Sequence, residues 1–166
     1  MKPIRGDSLA PHIAVMFAEL ERISRTEEGP SVGDRVLDQP RGRGEAMKPL
    51  RILVVENDLM IGPLLAELLE DLGHVVCAVE VDAGAAVAAA KRCHPDLMIV
   101  DVGLGEASGI AAVKEILKEG FVPHVFVTGD VLRGLSLGPD AVLIQKPYRA
   151  PDIVAAIARA IGGRAS

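Results

Sequence analysis

From residue 50 onward, five short apolar runs alternate with stretches of helical periodicity, and this alternation restricts the fold more than any other feature. The runs are almost continuously apolar, as expected of strands that are buried on both faces of a sheet. They are Leu50–Val55, Val75–Val79, Leu97–Val100, Val122–Val127 and Ala141–Ile144. Strands that alternate with helices form a parallel sheet with helices on both faces. The sequence therefore predicts an α/β domain of the doubly wound type.

Four helical segments are predicted between and after these runs. Each has apolar residues spaced three and four apart, or is rich in alanine, and glycine follows three of them. The segments are 61–72, Asp82–Arg92, 110–117 and 153–161. The fourth crossover, Asp130–Pro139, is short and glycine-rich, so it predicts no more than one or two helical turns.

The first 47 residues predict an extension to this domain, which itself covers 48–166. Apolar residues form one stripe over about 8–25, which predicts a single amphipathic helix. The stretch Thr26–Ala46 is rich in glycine, proline and charge and is typical of a flexible linker. Met47 directly precedes the first strand, so we expect residues 1–46 to be dispensable for folding.

Composition excludes several classes of function. The chain has 18 basic and 23 acidic residues and a net charge of −5, which argues against coating nucleic acid or a membrane surface. It has no apolar run long enough to span a membrane and no signal peptide, so we expect a cytoplasmic protein. Cys77 and Cys93 match no zinc spacing and are predicted to be reduced residues in or near the core.

Polar residues follow the predicted strands at the edge where parallel sheets bind ligands. They are Glu56-Asn57-Asp58, Asp101-Val102-Gly103, Thr128-Gly129-Asp130 and Gln145-Lys146-Pro147. Carboxylates and carbonyls are ligands that suit Mg²⁺, and lysine and threonine can pair with phosphoryl oxygens. An aspartate among them could act as a nucleophile and form an acyl phosphate.

These residues resemble the receiver domains of two-component response regulators over about Leu50–Gly162. Four features match in order: Glu56-Asn57 after the first strand, Asp101 at the end of the third, Thr128 after the fourth, and Lys146-Pro147 after the fifth. The resemblance implies a flavodoxin-like (βα)5 sheet with strand order 2-1-3-4-5.

The resemblance also implies roles for individual residues. Asp101 would be the phosphoacceptor, Thr128 the switch hydroxyl and Lys146 the contact to the phosphoryl group. Glu56, Asn57, Asp101 and the backbone carbonyl of Gly103 would hold Mg²⁺.

The implied activity is phosphoryl transfer to Asp101 from a histidine kinase or a histidine phosphotransferase, with slow self-dephosphorylation and no other enzymatic activity. No DNA-binding domain is expected after the last helix. Output would therefore depend on contacts with an unknown downstream protein or with a second copy in a homodimer.

The sequence departs from the family pattern in places that affect these expectations. Asn57 replaces one acid of the metal-binding pair, so we expect weak Mg²⁺ binding. Leu143 stands where many receivers carry an aromatic residue that moves with the threonine. The residues after Asp101 lack the frequent Met-Pro pair, and the short fourth crossover would reshape the usual signalling face.

Two alternatives of different classes remain open. Asn57 favours an interaction module with the receiver fold that works without phosphorylation. The stretch Gly103–Gly109 resembles the glycine loop of a nucleotide-binding oxidoreductase. That loop belongs after the first strand with an acid about 20 residues later, and here it follows the third strand without one.

Overall fold

The strands form one parallel sheet in the order that the sequence predicts. A computed structural model describes residues 18, 48–104, 108–129, 137 and 141–163. Its strands are β1 (Arg51–Val55), β2 (Val75–Glu80), β3 (Leu97–Asp101), β4 (His124–Thr128) and β5 (Val142–Gln145). They lie in the order β2-β1-β3-β4-β5, and every neighbouring pair is parallel. The predicted flavodoxin-like topology is confirmed.

Helices cover both faces of this sheet. From Lys48 onward, the described helices are α1 (Ile61–Asp71), α2 (Ala83–Cys93), α3 (Gly109–Ile116) and α4 (Ala150–Gly162). Side chains along a strand alternate between the two faces of the sheet, so each strand contributes to two separate cores. One core joins α1 and α4 to residues such as Val54 and Ile99. The other core joins α2 and α3 to the strand residues that point to the opposite face, such as Val55 and Val100.

Local sequence signals set the helix ends. The side chain of Asp82 accepts a hydrogen bond from the backbone N–H of Ala85 at 2.8 Å, which caps α2. Gly73 follows α1 with a φ of +87°, a conformation that glycine adopts without strain. By contrast, α3 ends at Ile116 rather than next to the predicted terminator Gly120. The chain tightens there, because Lys118 and Glu119 donate to carbonyls three residues earlier instead of four.

Several predicted segments lie outside the described residues. Of the predicted helix over 8–25, the structure describes Ala18, which is helical. The linker Thr26–Ala46 and the fourth crossover, apart from Leu137, lie outside it as well. The boundary at residue 47 therefore stays a prediction. Within the described ranges, no helix combines the length and apolar character that a membrane crossing requires.

Candidate functional site

One buried lysine links two carboxylates at the carboxyl edge of the sheet. The Nζ atom of Lys146 lies 2.6 Å from Oε2 of Glu56 and 2.8 Å from Oδ2 of Asp101. The three side chains are only 9%, 3% and 11% exposed, respectively. Three of the six predicted site residues, from the ends of three strands, are therefore in direct contact.

Hydrogen bonds from backbone N–H groups fix the position of each of these three residues. Asp101 is the last residue of β3, and its Oδ1 accepts from the N–H of Gly103 at 2.8 Å. Glu56 follows β1, and its N–H donates to the carbonyl of Glu80 at 2.9 Å. The N–H of Lys146 donates to the carbonyl of Thr128 at 2.7 Å, which ties the end of β4 to the lysine.

The start of α3 lies directly against the end of β3, and this is possible only with glycine. A Cβ atom at Gly109 would lie 2.0 Å from the backbone carbonyl oxygen of Asp101 and 2.8 Å from Cγ1 of Val100. Gly109 is thus explained by close packing beside the aspartate. Close packing therefore explains one glycine of the stretch Gly103–Gly109 without a bound nucleotide.

Burial and charge shift the pKa values of Glu56 and Lys146. Burial raises the pKa of the Glu56 carboxyl, and the negative charge of Asp101 adds to this, while Lys146 acts in the opposite direction. Burial alone would lower the pKa of the Lys146 ammonium group. Its hydrogen bonds to Asp101 and Glu56, and their charges, raise that pKa above its ordinary value. Lys146 is therefore positively charged at neutral pH.

The other predicted residues lie at the same edge of the sheet. Thr128 is buried at the end of β4, where β3 and β4 are paired through Asp101 and Val127. Asn57 is exposed in the loop after β1. The carboxylate of the next residue, Asp58, accepts from the N–H groups of Met60 and Ile61 at 2.8 and 3.2 Å, so it caps the entry to α1.

The oxygen donors suit Mg²⁺ in type but carry little net charge. Glu56 and Asp101 offer hard carboxylate oxygens, and each oxygen bonded to Lys146 keeps a second lone pair. One of their two negative charges is offset by the lysine. Among the described residues there is no group of three or more acidic, histidine or cysteine side chains that could hold a metal. The residues fit the ion as oxygen ligands, with a low charge for holding it.

Tyr148 is a site neighbour that sequence reasoning missed. It is 3% exposed, and its hydroxyl is a buried side-chain polar atom without a hydrogen-bond partner in the described structure. Burial raises the pKa of its phenol, and the negative charges of Glu56 and Asp101 raise it further. The available signal was its place two residues after Lys146, as the single tyrosine of the chain.

Comparison with known proteins decides the family. Residues 52–158, well over half of the chain, match the family model described as the response regulator receiver domain. The chain belongs to this family. Receiver domains are regulatory domains of two-component signalling and are generally not enzymes. They interact with a kinase or a phosphotransfer partner. They typically bind Mg²⁺ at the phosphorylation site.

The similar curated proteins are longer than this receiver domain chain. This chain is 32% identical over 127 residues to the transcriptional regulatory protein PdtaR of Mycobacterium tuberculosis. The match covers 74% of this chain and 62% of PdtaR. The chain is 34% identical over 114 residues to the phyllosphere-induced regulator PhyR of Methylorubrum extorquens, covering 66% of this chain and 43% of PhyR.

Solved receiver structures agree with the fold. The receiver domain of PhyR from Erythrobacter litoralis is 29% identical, with a TM-score of 0.64, and the match covers 73% of this chain and 96% of that one. The response regulator PhyR from Brucella abortus is 27% identical, also with a TM-score of 0.64, over 71% of this chain and 50% of that one.

Proposed function

We propose that this receiver domain is a phosphoacceptor signalling protein that is phosphorylated on Asp101. The observation that carries the proposal is the buried bridge of Lys146 between Asp101 and Glu56, at 2.8 and 2.6 Å, at the ligand-binding edge of the sheet. The donor would be the phosphohistidine of a sensor kinase or of a histidine phosphotransferase. The phosphorylated form would act through contacts with a downstream protein or a second copy.

The proposed step is a displacement at phosphorus. A carboxylate oxygen of Asp101 forms a bond to phosphorus as the bond from phosphorus to the histidine nitrogen breaks, and the imidazole leaves with that electron pair. Such transfers depend mainly on positioning and on neutralising the charge of the phosphoryl oxygens. Lys146 already lies beside Asp101 and is charged at neutral pH, so it can supply one positive charge without a rearrangement of the backbone.

The metal site is the second part of the proposal. Glu56, Asn57, Asp101 and the carbonyl of Gly103 would hold Mg²⁺, which when bound neutralises further charge on the phosphoryl group. With asparagine at position 57 the site offers two carboxylates, and Lys146 offsets one of them. We therefore expect weak binding of the ion.

Thr128 is the proposed switch residue. Its hydroxyl would be drawn toward the phosphoryl group. The backbone of Thr128 is already bonded to that of Lys146, because the Lys146 N–H donates to the Thr128 carbonyl at 2.7 Å. Movement of Thr128 is therefore expected to pass directly to β5. Leu143 in β5 replaces the aromatic residue of many receivers, so the loop after Thr128 and the strand itself would transmit the change.

Labelling with a small phosphodonor tests the proposal. Incubation with acetyl phosphate and Mg²⁺ should add the mass of one phosphoryl group to the protein, and the Asp101→Asn variant should gain none. Asp71→Asn is the matched control, because it removes an exposed carboxylate at the end of α1 and should label like the unchanged protein. Equal labelling of Asp101→Asn would overturn the assignment.

A second candidate function is an interaction module that works without phosphorylation. It is favoured by one observation, the replacement of a metal-binding acid by the exposed Asn57. The same experiment separates the two, since this alternative expects no Mg²⁺-dependent labelling of a folded protein. The oxidoreductase alternative has lost its main support, because the chain belongs to the receiver family and Gly109 is explained by packing.

A further inference from the structure

The buried hydroxyl of Tyr148 needs an explanation. Its ring belongs to the same apolar cluster as Ile61, Val127 and Ile144, so the ring itself packs like any core side chain. Its hydroxyl has no partner among the described residues. A buried donor without an acceptor destabilises a fold, and phenylalanine would fill the same space without that cost. A hydroxyl at this position therefore suggests a partner in another state of the protein.

The surroundings of Tyr148 indicate which partner that is. Tyr148 follows Lys146 by two residues, and its cluster neighbours Ile61 and Val127 lie at the start of α1 and near the end of β4. The carboxylates of Glu56 and Asp101 are near enough for their negative charges to act on its phenol. Together with burial they raise the pKa of that phenol, so it stays protonated and remains a hydrogen-bond donor at neutral pH.

Oε2 of Glu56 is the carboxylate oxygen that would lose its lysine donor after phosphorylation. The Oε1 atom of Glu56 accepts from the N–H of Asp58 at 3.1 Å, a bond within the loop that is independent of the lysine. Its Oε2 accepts from Lys146 at 2.6 Å. A phosphoryl group on Asp101 would attract the same ammonium group, because it carries more negative charge than a carboxylate. Oε2 of Glu56, in a side chain that is 3% exposed, would then be buried without this bond.

We propose that Tyr148 is a positioning residue whose hydroxyl donates a hydrogen bond to Glu56 when Lys146 turns toward a phosphoryl group on Asp101. The trigger rests on the proposed function, whereas the exchange of donors at Glu56 does not. By replacing the lysine at Glu56, Tyr148 would lower the cost of releasing Lys146 and so favour the phosphorylated state.

The exchange can be tested without phosphate, because the chain has one tyrosine and no tryptophan. Near-ultraviolet absorption above the phenylalanine band and the intrinsic fluorescence then report on Tyr148 alone. A phenol that donates to a carboxylate absorbs further to the red and fluoresces less. In the Lys146→Met variant, where the competing donor is gone, we expect a red shift and quenching relative to the unchanged protein.

A second substitution identifies the acceptor. Adding Glu56→Leu to Lys146→Met should remove the red shift, and adding Asp101→Leu should leave it in place. The proposal would be overturned if the red shift of Lys146→Met disappeared on adding Asp101→Leu but persisted on adding Glu56→Leu. It would also be overturned if the folded Lys146→Met variant showed no red shift. These arms use no phosphodonor, so their failure is distinct from a failure of Asp101 to be labelled.

Urea unfolding of Tyr148→Phe gives an independent reading that does not need the lysine variant to fold. In the otherwise unchanged protein the hydroxyl has no partner among the described residues, so Tyr148→Phe should unfold at the same or a higher urea concentration. A lower midpoint would mean that the hydroxyl is already bonded at rest, and would overturn the proposal. In the Lys146→Met background the effect should reverse, with Tyr148→Phe lowering the midpoint.

Discussion

Gly109→Ala should disturb both the fold and the phosphoacceptor, because the first residue of α3 touches the backbone of Asp101. The added Cβ would lie 2.0 Å from the carbonyl oxygen of Asp101, and real Cβ contacts essentially never fall under 3.0 Å. The helix or the strand end must therefore shift by about 1 Å or more. Both atoms at the closest points, the Asp101 oxygen and Val100 Cγ1, belong to the central strand β3, which pairs with β1 through Val100 and with β4 through both residues.

The expected loss of stability follows from this clash. Overpacking of a well-packed core typically costs about 1–3 kcal/mol, and a backbone clash of this depth belongs at or above the upper end. Alanine in place of glycine in a helix would by itself gain about 0.5–1 kcal/mol. We therefore expect a net loss of about 2 kcal/mol or more for Gly109→Ala.

Urea unfolding measures this loss against a matched control. Gly162→Ala in α4 makes the same chemical change in a helix, with open space around the added Cβ, and should leave stability unchanged or slightly raised. Acetyl phosphate labelling of the folded Gly109→Ala protein should also slow, because Asp101 moves. Equal stability of Gly109→Ala and the unchanged protein would refute the argument that close packing requires this glycine.

Three further predictions concern the metal site, the extension and the thiols. Asn57→Asp should tighten Mg²⁺ binding in a titration and speed labelling, because it adds a ligand charge; unchanged affinity would place residue 57 outside the metal shell. A chain that begins at Met47 should unfold at nearly the same urea concentration as the full chain, and a loss of several kcal/mol would show that the stripe over 8–25 packs on the domain. Burial, and then the neighbouring Cys93, raise the pKa of Cys77 from 9.0 to about 11. Alkylation of Cys77 in the folded protein should therefore be slow at pH 8 and accelerate about tenfold per pH unit until about pH 11, whereas a plateau near pH 9 would contradict the shift. Because the pKa of Cys77 is higher in the folded protein than in the unfolded chain, ionisation of this thiol should lower the free energy of unfolding as the pH rises above 9.0.

The order of elements was predictable from sequence because each has a strong local signal. Strands buried on both faces give continuous apolar runs, and helices give a periodic stripe, whatever their neighbours. The boundaries were less certain. The fourth strand was predicted from Val122 but begins at His124, and Pro123 before it lacks the N–H that a strand ladder needs. Its carbonyl still accepts from Met98 at 2.9 Å.

The meeting of Glu56, Asp101 and Lys146 was predictable from topology. Parallel strands bring their carboxyl ends to one edge, so residues that follow β1, β3 and β5 must lie near each other. Their assigned roles in metal binding and phosphoryl transfer remain predictions.

Features that depend on packing could not be predicted in this way. Gly109 is needed only because α3 begins against the carbonyl of Asp101, and this approach is set by the tertiary structure. The burial of the Tyr148 hydroxyl likewise depends on how α1, β4 and α4 enclose its ring. In the same way, Asp58 could be an acidic ligand by composition, and only the structure shows its carboxylate accepting from Met60 and Ile61 at the start of α1.

Direct localisation of the phosphoryl group tests the central claim most sharply. Hydride reduction converts an acyl phosphate to an alcohol, so a phosphorylated aspartate becomes homoserine, which peptide mass spectrometry can place in the sequence. After acetyl phosphate and Mg²⁺ treatment, we predict homoserine at position 101 and at no other carboxylate. Homoserine at position 58 or a reduced Glu56 in its place, or the absence of any reduced residue in the folded protein, would contradict the assignment of Asp101 as the phosphoacceptor.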